Sequence, residues 1–197
     1  MNPRPQLLRT SRHPLTQPGI NKPNGCDMRK AGLSPVIDDK TEVLILGSLP
    51  SDVSLAKGQY YANPSNDFWK LIRQVLNQNV VTMSYKCRVE TLKDHGIGLW
   101  DIYHHCVRPG SMDKDITESE LNDFGALRTT CPQLALVCFN GQKAGESEQR
   151  LRSLGYVTLV LPSSSGANRT NQEERLRCWS AIRQKQVLEP GRSSFTP

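Results

Sequence analysis

The sequence predicts an α/β protein, a three-layer α/β/α arrangement around a central four-stranded, mainly parallel sheet. Two observations predict it. Four short apolar runs recur without alternation, the pattern of strands buried on both faces. Segments of helical spacing lie between and after them, and strands that alternate with helices build a parallel sheet covered on both sides. A third observation bears on function. The segments leaving the four runs are GSLPS, DIYHHCVRPGS, NGQKAG and PSSSGANR. All bring small polar groups to the carboxyl edge of one sheet, where such folds bind ligands.

The strand expectations are residues 43–46 (VLIL), 97–100 (IGLW, the weakest), 134–139 (LALVCF) and 157–161 (VTLVL). Phe68, Trp69, Ile72, Val75 and Leu76 follow helical spacing, with Asn66 or Asp67 available as a cap. Residues 142–154 read as a second helix, stopped by Gly155. Residues 173–187, carrying Leu176, Trp179 and Ile182, read as a third. Shorter helical segments are expected around 89–92 and 124–127. No internal repeat is evident.

The 197 residues correspond to one domain with tails. Residues 1–31 hold five prolines and no periodic apolar pattern, and read as an irregular basic arm. Residues 32–188 read as the folded domain and 189–197 as a flexible tail. The net charge of +6 invites a nucleic-acid reading. However, residues 1–30 carry +5 and 183–197 carry +2, leaving the centre near neutral. The tails offer salt-dependent attraction to phosphates, and solvated ends explain them equally well.

The apolar fraction of 37 % supports a core, and no apolar run reaches the roughly 20 residues of a membrane span. The first residues, MNPRPQLLRTSRHPL, lack the apolar stretch of a secretory signal. Six dispersed cysteines show neither CxxC nor zinc spacing and read as reduced, mostly buried thiols of a cytoplasmic protein. GxSxG, GxxxxGK[ST] and GxGxxG motifs are all absent. His104, His105 and Cys106 look like a cluster, but neighbours on an extended chain point to opposite sides. Asp101 and Asp113, near the second run, are general-base candidates by position.

Four blocks carry a resemblance. They are residues 43–69 (VLILGSLPSDVSLAKGQYYANPSNDFW), 96–116 (GIGLWDIYHHCVRPGSMDKDI), 139–144 (FNGQKA) and 161–169 (LPSSSGANR). In this order, each following an expected strand, they resemble the uracil-DNA glycosylase superfamily, and within it the hypoxanthine-DNA glycosylase branch. The likeness spans roughly residues 32–187. It implies a monofunctional enzyme that flips a deaminated base, chiefly hypoxanthine, out of single- or double-stranded DNA and hydrolyses its N-glycosidic bond.

That chemistry makes three demands. The base leaves the stack at a cost of a few kcal/mol. The departing base gains negative charge and needs hydrogen bonds. A water then meets an oxocarbenium-like sugar. The resemblance gives Asn66 of the PxNxFW block the water-positioning role, since Leu49 occupies the GSLP position where mismatch-directed relatives carry an asparagine. An amide is no base, so its carbonyl works by holding a water in line. Capping the following helix is the structural alternative for Asn66.

Tyr61 is implied as the stacking ring, worth about 1–3 kcal/mol, with Tyr60 a lesser candidate; core or rim packing is the alternative for both. Asn140 is implied as the base reader, its amide pairing a carbonyl beside an N–H, or as a chain-turning residue before Gly141. Gly47 and Ser48 line the base side. The resemblance makes 163–169 the loop that pushes into the DNA and fills the vacated space, with Ser163, Ser164 and Ser165 as implied phosphate contacts, Asn168 and Arg169 as wedge or phosphate candidates, and Lys57 as a further DNA contact. Gly166 stands where the branch commonly has proline.

The GQDPY and HPSP loops of the main uracil enzymes are missing, as are the cysteines of iron–sulfur branches, so no metal, cluster or other cofactor is expected. A monomer is expected, in the cytoplasm and at the nucleoid in a bacterial cell. The alternatives are uracil, xanthine or mismatch-directed excision, a non-catalytic damaged-DNA binder, and a nucleoside hydrolase, the last disfavoured by the wedge-like PSSSGANR loop.

Overall fold

The computed structural model describes residues 29–168 and 170–183. Its centre is a four-stranded parallel sheet of β2 (Val43–Gly47), β3 (Ile97–Asp101), β6 (Leu136–Asn140) and β7 (Val157–Leu161), in the order β3-β2-β6-β7. The chain thus leaves β2 to one side for β3 and crosses to the other for β6, so the crevice beside β2 is a topological switch point.

Alternation within β2 explains the two cores. Val43 and Ile45 join one apolar cluster with Phe68, Ile72 and Trp179. Leu44 and Leu46 join another with Phe139, Leu151 and Phe124. Both faces are covered, as period-2 side chains on a buried strand require. The parallel register sets Gly47 opposite Asp101 and Asn140 opposite Leu161, so all four strands end at one level.

α1 (Asp52–Lys57), capped by Ser51 and stopped by Gly58 at φ +60°, follows β2. α2 (Phe68–Leu76) buries Phe68, Trp69, Leu71, Ile72 and Val75. α3 (Tyr85–Asp94), capped by Ser84, contains the expected 89–92 segment. α4 (Leu127–Thr130) begins where the 124–127 segment ends.

Three boundaries differ from the sequence expectation. The strand expected at 134–139 is Leu136–Asn140, which brings Asn140 into the sheet. The helix expected over 142–154 is two, α5 (Gln142–Gly145) and α6 (Glu148–Ser153). Gly145 packs so close to Val160 that a Cβ there would lie 3.0 Å away, and the chain turns at this contact. α7 (Gln172–Ser180) gives way to a turn at Ala181–Arg183, and residues beyond 183 are outside the described part.

A second sheet was not foreseen: β1 (Arg29–Ala31), β4 (Tyr103–Val107) and β5 (Thr117–Leu121), antiparallel in the order β1-β4-β5. Arg29–Ala31 therefore belong to this sheet rather than to the irregular arm; residues 1–28 and 184–197, with the rest of the arm and the tail, lie outside the described residues. Along β4, whose register is irregular at His105, the rings of His104 and His105 meet edge-on with centroids 5.3 Å apart instead of pointing to opposite sides, while Cys106 is buried, so the three do not all converge. The five described cysteines are free, three of them buried. Among the described residues no group of three or more His, Cys, Asp or Glu is arranged to hold a metal, and no helix is long and apolar enough to cross a membrane.

Candidate active site

A cavity of about 450 Å³ opens at the carboxyl edge of the parallel sheet. Of the expected site residues it gathers Gly47, Ser48, Tyr61, Asn66, Asn140, Ser163, Ser164 and Ser165. Lys57, exposed at the end of α1, and Asn168 are not on its wall, and Arg169 lies outside the described residues.

Gly47 ends β2 where two side chains converge. A Cβ there would lie 3.3 Å from the Tyr61 hydroxyl and 3.4 Å from Asp101 Oδ1. Ser48 is buried and donates its hydroxyl to Asp113 Oδ1 at 2.6 Å, so that proton is committed within the protein. Leu49 is buried in the second core and brings no polar side-chain atom to the wall.

Asn66 Oδ1 accepts the Phe68 backbone N–H at 2.9 Å. Only the carbonyl end of an amide can accept, so the side chain's orientation is settled. Asp67, not Asn66, holds the N-cap position of α2 and makes no side-chain cap bond; the Asn66 bond satisfies the first helical N–H from one residue earlier, and no further partner of its amide occurs among the described residues. This bond to the helix start and a place on the cavity wall are compatible.

Tyr61 has φ +54°, the left-handed region that a bulky residue occupies only when its surroundings hold it there. Its ring lies on Phe68, centroids 3.7 Å apart and 11° from parallel. The hydroxyl is buried beside Asn140 without a well-formed hydrogen bond, and burial pushes the phenol upward from its ordinary pKa. Tyr60 differs. It is core, its hydroxyl set 3.2 Å from both the Leu33 carbonyl and Asp101 Oδ2.

Asn140 is held at both ends by one residue. Its Oδ1 accepts the Ser164 N–H at 2.7 Å and its Nδ2 donates to Ser164 Oγ at 2.8 Å. Ser164 is fully buried, and its carbonyl accepts from Asp67 N at 2.9 Å and Arg175 Nη2 at 3.5 Å. Arg175 also pairs with Asp67 at 3.2 Å. Ser164 thus ties Asn140 on β6 to the loop that carries Asn66.

Ser163 Oγ accepts from Ser165 N, and Ser165 Oγ from Ala167 N, at 3.2 and 3.3 Å. These hydroxyls keep their own protons for an outside acceptor. Asn168 is turned back on the loop, donating to the Ser163 carbonyl at 2.7 Å and accepting from Thr170 N at 3.0 Å. Gly166 lets the loop touch its neighbour: a Cβ would lie 2.3 Å from the Ser65 carbonyl oxygen.

Two wall or support groups carry more than the sequence indicated. Asp101 is nearly fully buried; its Oδ2 accepts from Leu33 N at 3.3 Å and faces Tyr60, while Oδ1 faces the Gly47 end of the cavity. Burial raises its pKa to about 8, opposed by Leu33 N–H, Tyr60 and Arg108. A carboxyl titrating there is mostly protonated at pH 7 and holds a proton to donate rather than standing ready to accept one. Its place at a strand end was visible in the sequence; its protonation comes from three-dimensional burial. Arg108 is buried too, donating to the Leu49 carbonyl at 3.2 Å and to the Pro50 carbonyl, with Asp113 3.8 Å away. A buried arginine that braces the GSLP loop leaves no sequence signal.

Known proteins resemble this chain in sequence and fold. The chain is 51 % identical over 155 residues to the hypoxanthine DNA glycosylase of Methanosarcina acetivorans, covering 79 % of this chain and 98 % of that protein. Identity to the hypoxanthine DNA glycosylase of Methanosarcina barkeri is 48 %, covering 78 % and 97 %. A G/U mismatch-specific uracil DNA glycosylase of Schizosaccharomyces pombe is 30 % identical over 93 residues, 47 % of this chain and 27 % of that one. The solution NMR structure of a uracil DNA glycosylase candidate from Methanosarcina acetivorans superimposes with a TM-score of 0.74 at 50 % identity, covering 80 % and 98 %. The family model of the uracil DNA glycosylase superfamily matches residues 34–185, which takes in the whole parallel sheet and every wall of the cavity. By sequence and by fold alike, this chain belongs to the uracil DNA glycosylase superfamily.

Proposed function

We propose that this protein is a monofunctional DNA glycosylase that takes a deaminated base, chiefly hypoxanthine, out of DNA and hydrolyses its N-glycosidic bond, leaving an abasic site. One observation carries the reading. Asn66, Tyr61 and Asn140 come from separate segments to one cavity, in a chain about half identical to two hypoxanthine DNA glycosylases.

In this reading the extruded base stacks on Tyr61, whose opposite ring face rests on Phe68. The Asn140 amide reads the base edge from an orientation held by Ser164. The spare lone pair of Asn66 Oδ1 holds a water in line with the sugar, so catalysis rests on positioning and on stabilising the leaving base. Asp101, neutral at pH 7, presents a proton donor to an acceptor atom of the departing purine. The hydroxyls of Ser163 and Ser165 meet phosphates flanking the flipped nucleotide. The enzyme acts as a monomer and works in the cytoplasm, at the nucleoid in a bacterial cell. Uracil is the second substrate to test, given the partial likeness to a mismatch-specific uracil enzyme.

The test is single-turnover cleavage of duplexes carrying hypoxanthine, uracil or xanthine, with alkali to reveal abasic sites. Release by wild type, reduced about 10²–10³-fold in Asn66→Ala with DNA binding kept, is the expected result. Tight binding without release from any substrate would replace the enzyme with a damage-binding protein.

A further inference from the structure

Flipping a base out of a duplex disrupts the stack, and proteins that kink a duplex insert apolar wedges such as Phe, Leu, Ile or Met between its base steps. On the 163–168 loop the cavity wall has only Ser163, Ser164, Ser165, Gly166 and Ala167. Asn168 is tied back by two hydrogen bonds. Among the described residues that loop offers nothing large and apolar; Arg169, its other wedge candidate, lies outside them.

The opposite rim does. Met112 is 52 % exposed and lines the cavity. Of the other exposed large apolar side chains among the described residues, Val53, Leu154 and Val157, none lines it. A lone exposed methionine is ordinary on a protein surface; the way this one is mounted is not. Both its neighbours are anchored. Ser111 Oγ accepts the Asp52 N–H at 2.9 Å, and Asp113 accepts the Ser48 hydroxyl at 2.6 Å. Lys30 donates to the Gly110 carbonyl at 2.6 Å, and buried Arg108 lies 3.8 Å from Asp113. The loop is braced on either side of residue 112 while its side chain stands in solvent. Lys114, exposed and also on the wall, adds a positive charge beside it.

We propose that Met112 is an apolar wedge that enters the DNA base stack beside the extruded nucleotide, from the rim opposite the 163–169 loop. An unbranched thioether adapts to stacked bases of any sequence, and a braced loop carries it in without a large ordering cost. The proposal rests on the DNA glycosylase reading above and adds a residue that holds the duplex open.

The experiment compares single-turnover release of hypoxanthine from fully paired duplex and from the same strand unpaired, together with the fluorescence of 2-aminopurine placed next to the lesion. Wild-type release from the single strand tests the glycosylase reading separately, because no stack has to be opened there. Met112→Ala should lower the paired-to-unpaired rate ratio about tenfold and blunt the 2-aminopurine rise on binding, whereas Met112→Leu should restore both. A ratio unchanged in Met112→Ala, or a leucine variant as impaired as the alanine one, overturns the proposal even where wild type is a good glycosylase. Because the side chain is exposed, neither variant should shift the melting temperature.

Discussion

The two sides of the cavity keep polar groups in place by opposite means. One side is neutral. Asn66, Asn140 and the serines 163–165 are amides and hydroxyls, and each amide oxygen accepts a backbone N–H. The other side is ionisable. Asp101 sits against Tyr60 in near-complete burial, and Asp113 links Ser48 to the neighbourhood of Arg108. The contrast shows how function divides: geometry on the neutral side is indifferent to pH, whereas the acid side changes its donor and acceptor character with pH.

The sharpest way to break this division is Asn140→Ala. It removes the proposed base reader and leaves the buried Ser164 N–H without its acceptor, at a cost of about 1–3 kcal/mol. Base release should fall about 10²-fold or more, equally at every pH, as single-turnover rates across a pH series would show. A loss confined to high pH would mean that the two sides are coupled.

Gly166→Ala comes next. Its new Cβ would meet the Ser65 backbone carbonyl, forcing the 163–168 loop away from the Asn66 loop. Overpacking of this kind costs about 1–3 kcal/mol, and displacing the catalytic geometry should slow release about tenfold or more. Denaturant melts and rates at saturating enzyme separate the two effects.

Asp101→Asn tests the acid side. In the unfolded chain this carboxyl titrates near its ordinary 3.8, in the fold near 8. Between those values the folded protein holds a proton that the unfolded chain has released. Stability is therefore full below about pH 4 and declines as pH rises toward 8. The asparagine variant should lose this slope in melts from pH 4 to 9. Wild-type release should also fall as pH rises through about 8, while the variant, which donates without titrating, should give a flatter profile. Parallel slopes for the two proteins would remove Asp101 from both roles.

The smallest effect belongs to Ser164→Ala. The backbone N–H that fixes Asn140 survives, and one hydrogen bond to Nδ2 is lost, worth about 1 kcal/mol. Release should drop less than about tenfold; a loss as large as that of Asn140→Ala would place the hydroxyl itself in the chemistry.

The parallel sheet was legible because its strands are buried on both faces, so runs such as residues 43–46 stand out as unbroken apolar stretches. The second sheet was not, because Thr117–Leu121 reads TESEL and buries none of its residues; its pairing comes from β4, not from an apolar signal of its own. The 142–154 helix kept a continuous pattern on paper, while the close contact of Gly145 with Val160 divides it in space. Within the site, motif order led to Asn66, Tyr61 and Asn140, all of which line the cavity. Three consecutive serines look alike in a sequence; only the fold distinguishes buried Ser164, bonded to Asn140, from its neighbours. The Arg108 brace joins residues 58 and 59 apart in sequence and depends on contacts that no local pattern encodes.

The Ser164 clasp on Asn140 has a consequence for undamaged DNA. Hypoxanthine differs from adenine at the edge an amide reads: adenine shows an amino donor beside a ring acceptor, hypoxanthine a carbonyl beside an N–H. A freely rotating amide could turn over and suit either base. Here the Ser164 hydroxyl could turn to donate to a reversed amide, but the reversed NH₂ would meet the Ser164 N–H, donor against donor. With Asn140 as the reader, that penalty guards the many normal adenines of a genome against excision, and it does so through a backbone N–H, which side-chain substitution at residue 164 leaves in place unless proline is introduced.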